Sequence, residues 1–440
     1  MENFFRFREN NTTLKTEILA GITSFLACLY IIVVNPAILK DTGMPFSGVL
    51  TATVLVCFFS SVAMGLYAKN PIIVAPGMGI NAFFTYTAVI GMKIPWETAL
   101  GTVFWSGVII MILSFSNIRV HILQAIPQSV RMGLASGIGL FIALIGLENA
   151  GFIIANPATL ISKAPINSIT ATFLIGLAVT IVLVIKKVPG SLILGIIITT
   201  LIAIPIGRVW GDASAVNFGT KTLVTFNGIF AAPDFSLLFK MDLLGALKFS
   251  AIPVIFVFVF VDMFDSISTF MGLAEAGNLL DENGQPRNVK HSLIADGFAT
   301  LIAGVLGSSA GTAYIESATG IREGGRTGLT AVVGGILFLP FLFLSPLASV
   351  VPSIATAPVL VIVGALFMIP IMKLDWSDFE IAFPAFISMI LIPFTFSITE
   401  GIVFGLLSYS IIKLSLGKYK ELTPMLIVLN IVSILFLIYG

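Results

Sequence analysis

Apolar stretches of roughly twenty residues follow one another along almost the whole chain, separated by short polar turns. A run of that length is what an α-helix needs to cross the hydrocarbon core of a bilayer. Seven spans are expected at about 18–39, 48–67, 72–90, 98–115, 130–147, 169–185 and 192–206. A longer polar stretch at about 207–242 then reads as a surface linker between two halves. Seven further elements follow at about 244–272, 292–306, around Glu316, and at 330–347, 355–372, 381–396 and 401–416. The final apolar run, about 425–439, is short for a span and is equally compatible with lying along the interface. The pattern describes an all-α polytopic membrane protein of about 14 transmembrane segments.

Two of these segments break the pattern. The stretch 307–321 carries Gly307, Gly311 and Gly320 among Ser and Thr residues, and it delivers a carboxylate, Glu316, between two membrane-length runs. Upstream, Pro76, Gly77 and Gly79 interrupt another apolar run and deliver Asn81. Non-helical backbone at membrane depth survives only where protein or a water-lined cavity satisfies its N–H and C=O groups. The expectation is extended chain at about 309–314, with helix resuming at Glu316, and short strands breaking spans 3 and 10. The broken element is third in each set of seven. An odd number of spans per half makes the second copy enter from the opposite side, so the repeat is inverted, 7+7. With a cytoplasmic N-terminus, about sixteen Lys and Arg fall on inner loops and about seven on outer ones, which follows the positive-inside bias. Paired interrupted segments in corresponding halves point to a transporter's binding site. Asn81 and Ala82 would stand at one half-helix terminus, and Tyr314, Ile315 and Glu316 at the other. Gly79 would let the backbone approach a ligand closely.

Composition narrows the function. Hydrophobic residues make up 57% and charged residues 10%, with a mean hydropathy of +1.07. A net charge of +1 leaves no basic stripe for nucleic acid. The 2 cysteines, Cys28 and Cys57, lie in apolar runs, and the 2 histidines, His121 and His291, are far apart. Neither a metal cluster nor a nucleophile–base pair is suggested, so no cofactor, metal site or enzymatic activity is expected. The polar start of the chain, about 2–17, lacks the form of a cleavable signal, and the first span is expected to act as an uncleaved one. Asp262 and Asp265 share a helical face as i and i+3; Asp262 either belongs to the site or is hydrated near the mouth. Asp296 either joins them or pairs with Lys290 near the interface. Asp265 and Glu316 are the candidates for carrying a coupling proton, with sodium as the alternative ion.

The motifs then become specific. Tyr314, Ile315, Glu316, Ser317, Ala318, Thr319, Gly320 and Ile321, followed by Gly324 through Val332, resemble the signature of the adenine/guanine/hypoxanthine permeases, the AzgA-like branch of the nucleobase–cation symporter family. Residues 76–82 resemble that family's third-span motif, 264–270 its eighth-span motif and 35–39 the end of its first span. The resemblance implies the uracil-permease fold. A core domain (18–116 and 244–347) would slide against a gate domain (127–206 and 355–416), with an extracytoplasmic linker (207–243) and a C-terminal apolar segment (417–440). It further implies a purine nucleobase as substrate, imported with protons across the cell membrane. The alternative is a nucleobase or anion carrier of the same fold with another substrate or sodium coupling. An anion site would favour a cation near the broken helices, however, and the nearest polar side chains in the sequence are acidic. The family's two substrate carboxylates fall on Asp265 and Glu316, and its third-span polar position on Asn81. Membrane lipid is the remaining expected partner, and a homodimer is left open.

Overall fold

Inside hydrocarbon the backbone has no water to bond, so each apolar run closes its own hydrogen bonds as a helix. A computed structural model describes residues 2–115, 127–214, 221–226, 228–277, 279–280 and 286–439. Its elements begin with α1 (Glu2–Phe5), α2 (Leu14–Cys28), α3 (Ile31–Leu39), α4 (Phe46–Ala63), β1 (Val74–Pro76), α5 (Met78–Ala82) and α6 (Trp96–Phe115). There follow α7 (Gln128–Asn149), the hairpin β2 (Ile153–Asn156) and β3 (Leu160–Lys163), α8 (Ser168–Ile185) and α9 (Ser191–Ala203). After the linker come α10 (Ile252–Gly277), α11 (Val289–Leu306), β4 (Gly311–Ala313), α12 (Ala318–Arg322), α13 (Gly328–Phe338) and α14 (Ser345–Ser349). The chain ends with α15 (Ser353–Leu366), α16 (Phe379–Thr395), α17 (Ile398–Ser415) and α18 (Pro424–Tyr439). Among the described residues, 9 helices are long and apolar enough to cross a membrane, and four shorter apolar helices accompany them. With the strand-and-short-helix element around Glu316, they give seven membrane elements on each side of the linker, the inverted repeat expected from the sequence.

The helices pack as two groups. In one, α6 lies along α10 and α11, and α13 lies along α2 and α4. In the other, α7 packs on α15 and α16, and α8 and α9 pack on each other and on α15. Close approach rests on small residues, as helix contacts in membranes do. A Cβ on Gly107 would stand 2.3 Å from the Leu301 nitrogen, binding α6 to α11, and one on Gly133 would stand 2.3 Å from the Ala385 carbonyl oxygen, binding α7 to α16.

Several expectations change. Span 1 is interrupted at Leu29–Tyr30, between α2 and α3. Span 8 begins at Ile252, not Leu244, because Gly245–Leu247 form a separate 3-10 turn before the helix. Span 11 stops as an α-helix at Phe338, where Pro340 starts a 3-10 turn. The hairpin β2–β3 was not foreseen. The linker docks rather than merely lying on the surface: the Phe239 N–H donates to the Val305 carbonyl at 2.9 Å, and the Asp242 N–H to the Glu97 carbonyl at 2.8 Å. The last apolar run is a helix of 16 residues packed on α17, with the Asn430 side chain donating to the Ser410 hydroxyl at 2.6 Å. Cys28 and Cys57 are free and buried, while His121 lies outside the described residues.

Candidate substrate site

The two broken segments meet. Strands β1 and β4 pair antiparallel, with Val74 opposite Ala313, Ala75 opposite Thr312 and Pro76 opposite Gly311. The ladder extends at both ends, Gly77 N–H donating to the Ala310 carbonyl and Tyr314 N–H to the Ile73 carbonyl, both at 3.0 Å. The pairing answers the membrane's demand that extended backbone find partners. In that antiparallel register α5 begins beyond one end of the ladder, after Pro76 and Gly77, and the turn at Ile315–Ser317 beyond the other, after Ala313 and Tyr314. Two half-helix beginnings with free N–H groups therefore flank the paired strands.

Glu316 occupies that turn. Its Oε1 accepts from the Tyr30 hydroxyl at 2.8 Å, and the Thr319 hydroxyl caps its carbonyl at 2.7 Å. Tyr30 reaches the site from the turn between α2 and α3. Tyr314 is buried, its hydroxyl donating to the Pro76 carbonyl at 2.5 Å and its ring centroid 6.3 Å from that of Tyr30. Ile315 is 46% exposed and Glu316 half-buried as a residue, so the protein does not close over this turn completely. Asp265 lies close enough to Glu316 for their charges to interact. Its Oδ2 accepts from the Thr312 hydroxyl at 3.3 Å, and Thr312 in turn lies 2.8 Å from the Ser266 hydroxyl.

Asn81 and Ala82 are fully buried beside the strands. The Ser309 hydroxyl donates to Asn81 Oδ1, while Nδ2 has no partner among the described residues. One amide donor is therefore left over next to the half-helix termini. Behind it, the Asn35 amide donates to the hydroxyls of Thr53 at 2.7 Å and Ser308 at 3.0 Å, which fixes the approach to β4.

The remaining acids are settled by burial. Asp262 is fully buried, with the Thr300 hydroxyl 2.5 Å from its Oδ2, so it is not a hydrated group at the mouth. Thr300 also stands 2.9 Å from the Gly311 carbonyl and so links this acid to β4. Asp296 is equally buried and adjoins Asp262 rather than pairing with Lys290. Gly79 does not face the strands: a Cβ there would stand 2.6 Å from Cγ2 of Ile138 on α7, in the other helix group. The sequence also gave no sign of Arg131, at the start of α7. Its guanidinium lies over the Phe264 ring, 5.7 Å from the centroid, one residue from Asp265. A cation thus stands near the acids, supplied by a helix far from them in sequence.

Comparison with known proteins agrees with this architecture. Residues 15–404 match the profile of a family described as a permease family. The chain is 39% identical over 442 residues to the adenine permease AdeP of Escherichia coli, covering 100% of this chain and 96% of that protein. It is 39% identical over 450 residues to the guanine/hypoxanthine permease PbuG of Bacillus subtilis, covering 100% of both. In solved structures, the transmembrane domain of the cyanobacterial bicarbonate transporter BicA superposes with a TM-score of 0.65 at 16% identity, covering 89% of this chain and 97% of that one. At that identity the likeness is one of fold.

Proposed function

The chain belongs to this permease family, and on that premise we propose that it is a secondary active importer of purine nucleobases driven by protons. It is a multi-pass membrane transport protein rather than an enzyme, as its permease relatives are. The observation that carries the substrate reading is Glu316: a carboxylate at a half-helix start beside the paired strands, held at one oxygen by Tyr30. Its two oxygens form a fork suited to adjacent N–H donors on a flat heterocycle. Asp265 and the spare amide donor of Asn81 complete a set of acceptors and donors for the rest of the ring. Ala82, Tyr314 and Ile315 supply the walls. The relatives that transport adenine, guanine and hypoxanthine support a purine as the ring.

In the mechanism, the group formed by α2–α6 and α10–α13 is the core, and the group formed by α7–α9 and α15–α17 is the gate. The site rides on the core. The N-terminus and the loop after Arg322 lie in the cytoplasm, as the charge bias favours. At the other end the groups touch through the Thr87 hydroxyl, which donates to the Phe396 carbonyl at 2.6 Å. Phe141 stacks edge-on against both Tyr86 and Phe396 there. Sliding the core past Ile138 breaks this outer seal and exposes the site outside. Asp265 and Glu316 accept the coupling proton, and release of purine and proton inside resets the cycle. Saturable uptake of radiolabelled adenine, guanine and hypoxanthine by a transport-deficient strain expressing the protein, each competing with the others, is the expected result. Expression without uptake of any purine overturns the reading.

A further inference from the structure

The face of the molecule that carries the N-terminus holds a cavity of about 440 Å³, separate from the substrate site. Sites for small molecules span roughly 300–1,000 Å³. Four stretches of the core group wall it: the N-terminal residues from Phe5 to Asn10, the turn at Tyr67 and Lys69, the start of α11 at Arg287, and Thr327 before α13.

Its charge is unbalanced. Arg6, Lys69 and Arg287 line it against one carboxylate, Glu9. The Arg6–Glu9 pair, 3.4 Å apart and solvent-exposed on both sides, neutralises little. Lys69 makes no ion pair among the described residues; its ammonium leans over the Phe4 ring at 5.0 Å. Arg287 is fixed by neutral acceptors only: it donates to the Arg326 carbonyl at 2.7 Å, to the Lys69 carbonyl at 3.4 Å and to Asn10 Oδ1. Its Nε is buried and has no hydrogen-bond partner among the described residues. The buried carboxylate of Glu17 accepts from the Arg326 N–H at 2.8 Å and the Thr330 hydroxyl at 2.6 Å, both neutral donors. Its charge still reaches Arg287, which leaves Lys69 as the least compensated cation of the wall.

The backbone is unusual in the same place. Arg6, Lys69 and Asn288 have φ values of 53, 57 and 54°, left-handed conformations that L side chains seldom adopt. At Arg6 and Lys69 the left-handed residue directly follows the last residue of a helical stretch, a usual way for a helix to end. An apolar wall completes the cavity, with Phe5 on one side and the Tyr67–His291 pair, ring centroids 5.2 Å apart, on another.

We propose that this cavity binds an organic phosphate, its oxygens bridging Lys69 and Arg287 and its organic part resting on Phe5 and Tyr67. The Lys69 ammonium, with no ion pair among the described residues, matches a phosphate's charge, and Arg287 adds one directional donor, the Nη1 hydrogen not used on Asn10. Two sources carry that chemistry: a soluble nucleotide and the headgroup of an anionic lipid. Either one ties the N-terminal segment to the core, because residues 5–10 form one wall.

The test uses the full-length protein in nanodiscs. In zwitterionic phosphatidylcholine discs it is titrated with guanosine monophosphate and, separately, with inorganic phosphate. In a second arm, phosphatidylglycerol replaces part of the lipid and no nucleotide is added. The readouts are the thermal unfolding midpoint and hydrogen-exchange protection of residues 2–10. The variants are Lys69→Asn alone and Arg6→Asn with Lys69→Asn, since Asn tolerates the left-handed backbone. A saturable rise in both readouts is expected in at least one arm, with binding weakened about tenfold or more by loss of the cations. The arm that responds identifies the source. Wild-type protein that responds in neither arm, or a folded Lys69→Asn variant that responds as wild type does, overturns the proposal.

Discussion

Glu316 shares one oxygen with Tyr30 at 2.8 Å, so substitutions at the two positions separate substrate binding from orientation of the carboxylate. Glu316→Gln turns an acceptor into a donor facing the base. A mismatch of this kind costs about 1–3 kcal/mol, which raises the half-saturation constant for uptake roughly tenfold to a hundredfold. Tyr30→Phe loses a single hydrogen bond worth about 0.5–1.5 kcal/mol and raises the same constant roughly twofold to tenfold. Both are read as initial uptake rates normalised to surface protein. An unchanged constant in Glu316→Gln removes that residue from the site. The sequence made Glu316, Asp265 and Asn81 legible because a polar side chain in an apolar run stands out. Tyr30 was not legible, since its partner is 286 positions away and a tyrosine in a span has many uses. The burial of Asp262 and Asp296 was hidden for the same reason: Thr300 and β4 close over them only in three dimensions.

At the level of elements, the paired breaks were visible in the sequence because Gly and Pro interrupt apolar runs, and β1 and β4 do form there. The break between α2 and α3 had no such marker, as Leu29 and Tyr30 are ordinary span residues. Gly79 shows how an element's partner changes a prediction. Its missing side chain leaves room for Ile138, not for the ligand. Gly79→Val is therefore expected to leave purine binding to purified protein within about threefold, a change under about 1 kcal/mol, while arresting uptake. Normal uptake would show that α5 does not slide against α7. A second close contact carries stability instead. A Cβ at Gly328 would fall 1.8 Å from the Gly65 carbonyl oxygen, so Gly328→Ala forces α13 off its seat and costs about 1–3 kcal/mol or more. A lowered thermal unfolding midpoint in detergent checks it, and an unchanged midpoint refutes the packing.

For the whole molecule, the seven-and-seven order was foreseen from span counting, whereas Arg131 over Phe264 was not, because α7 and α10 meet only after folding. The account joins these parts into one machine: a site at β1 and β4, carried by a core that slides against a gate and is driven by a proton taken up at Asp265 and Glu316. One charge moved inward gains about 2.3 kcal/mol per 100 mV, enough for roughly fiftyfold accumulation. The decisive measurement is accumulation of radiolabelled purine in proteoliposomes under an imposed proton gradient in sodium-free buffer, with wild type, Asp265→Asn and Glu316→Gln compared. The account predicts gradient-driven accumulation by wild type that collapses with a protonophore, is lost in Asp265→Asn and is shifted to much higher purine concentration in Glu316→Gln. Accumulation that requires sodium and ignores the proton gradient, or that persists in Asp265→Asn, would contradict it.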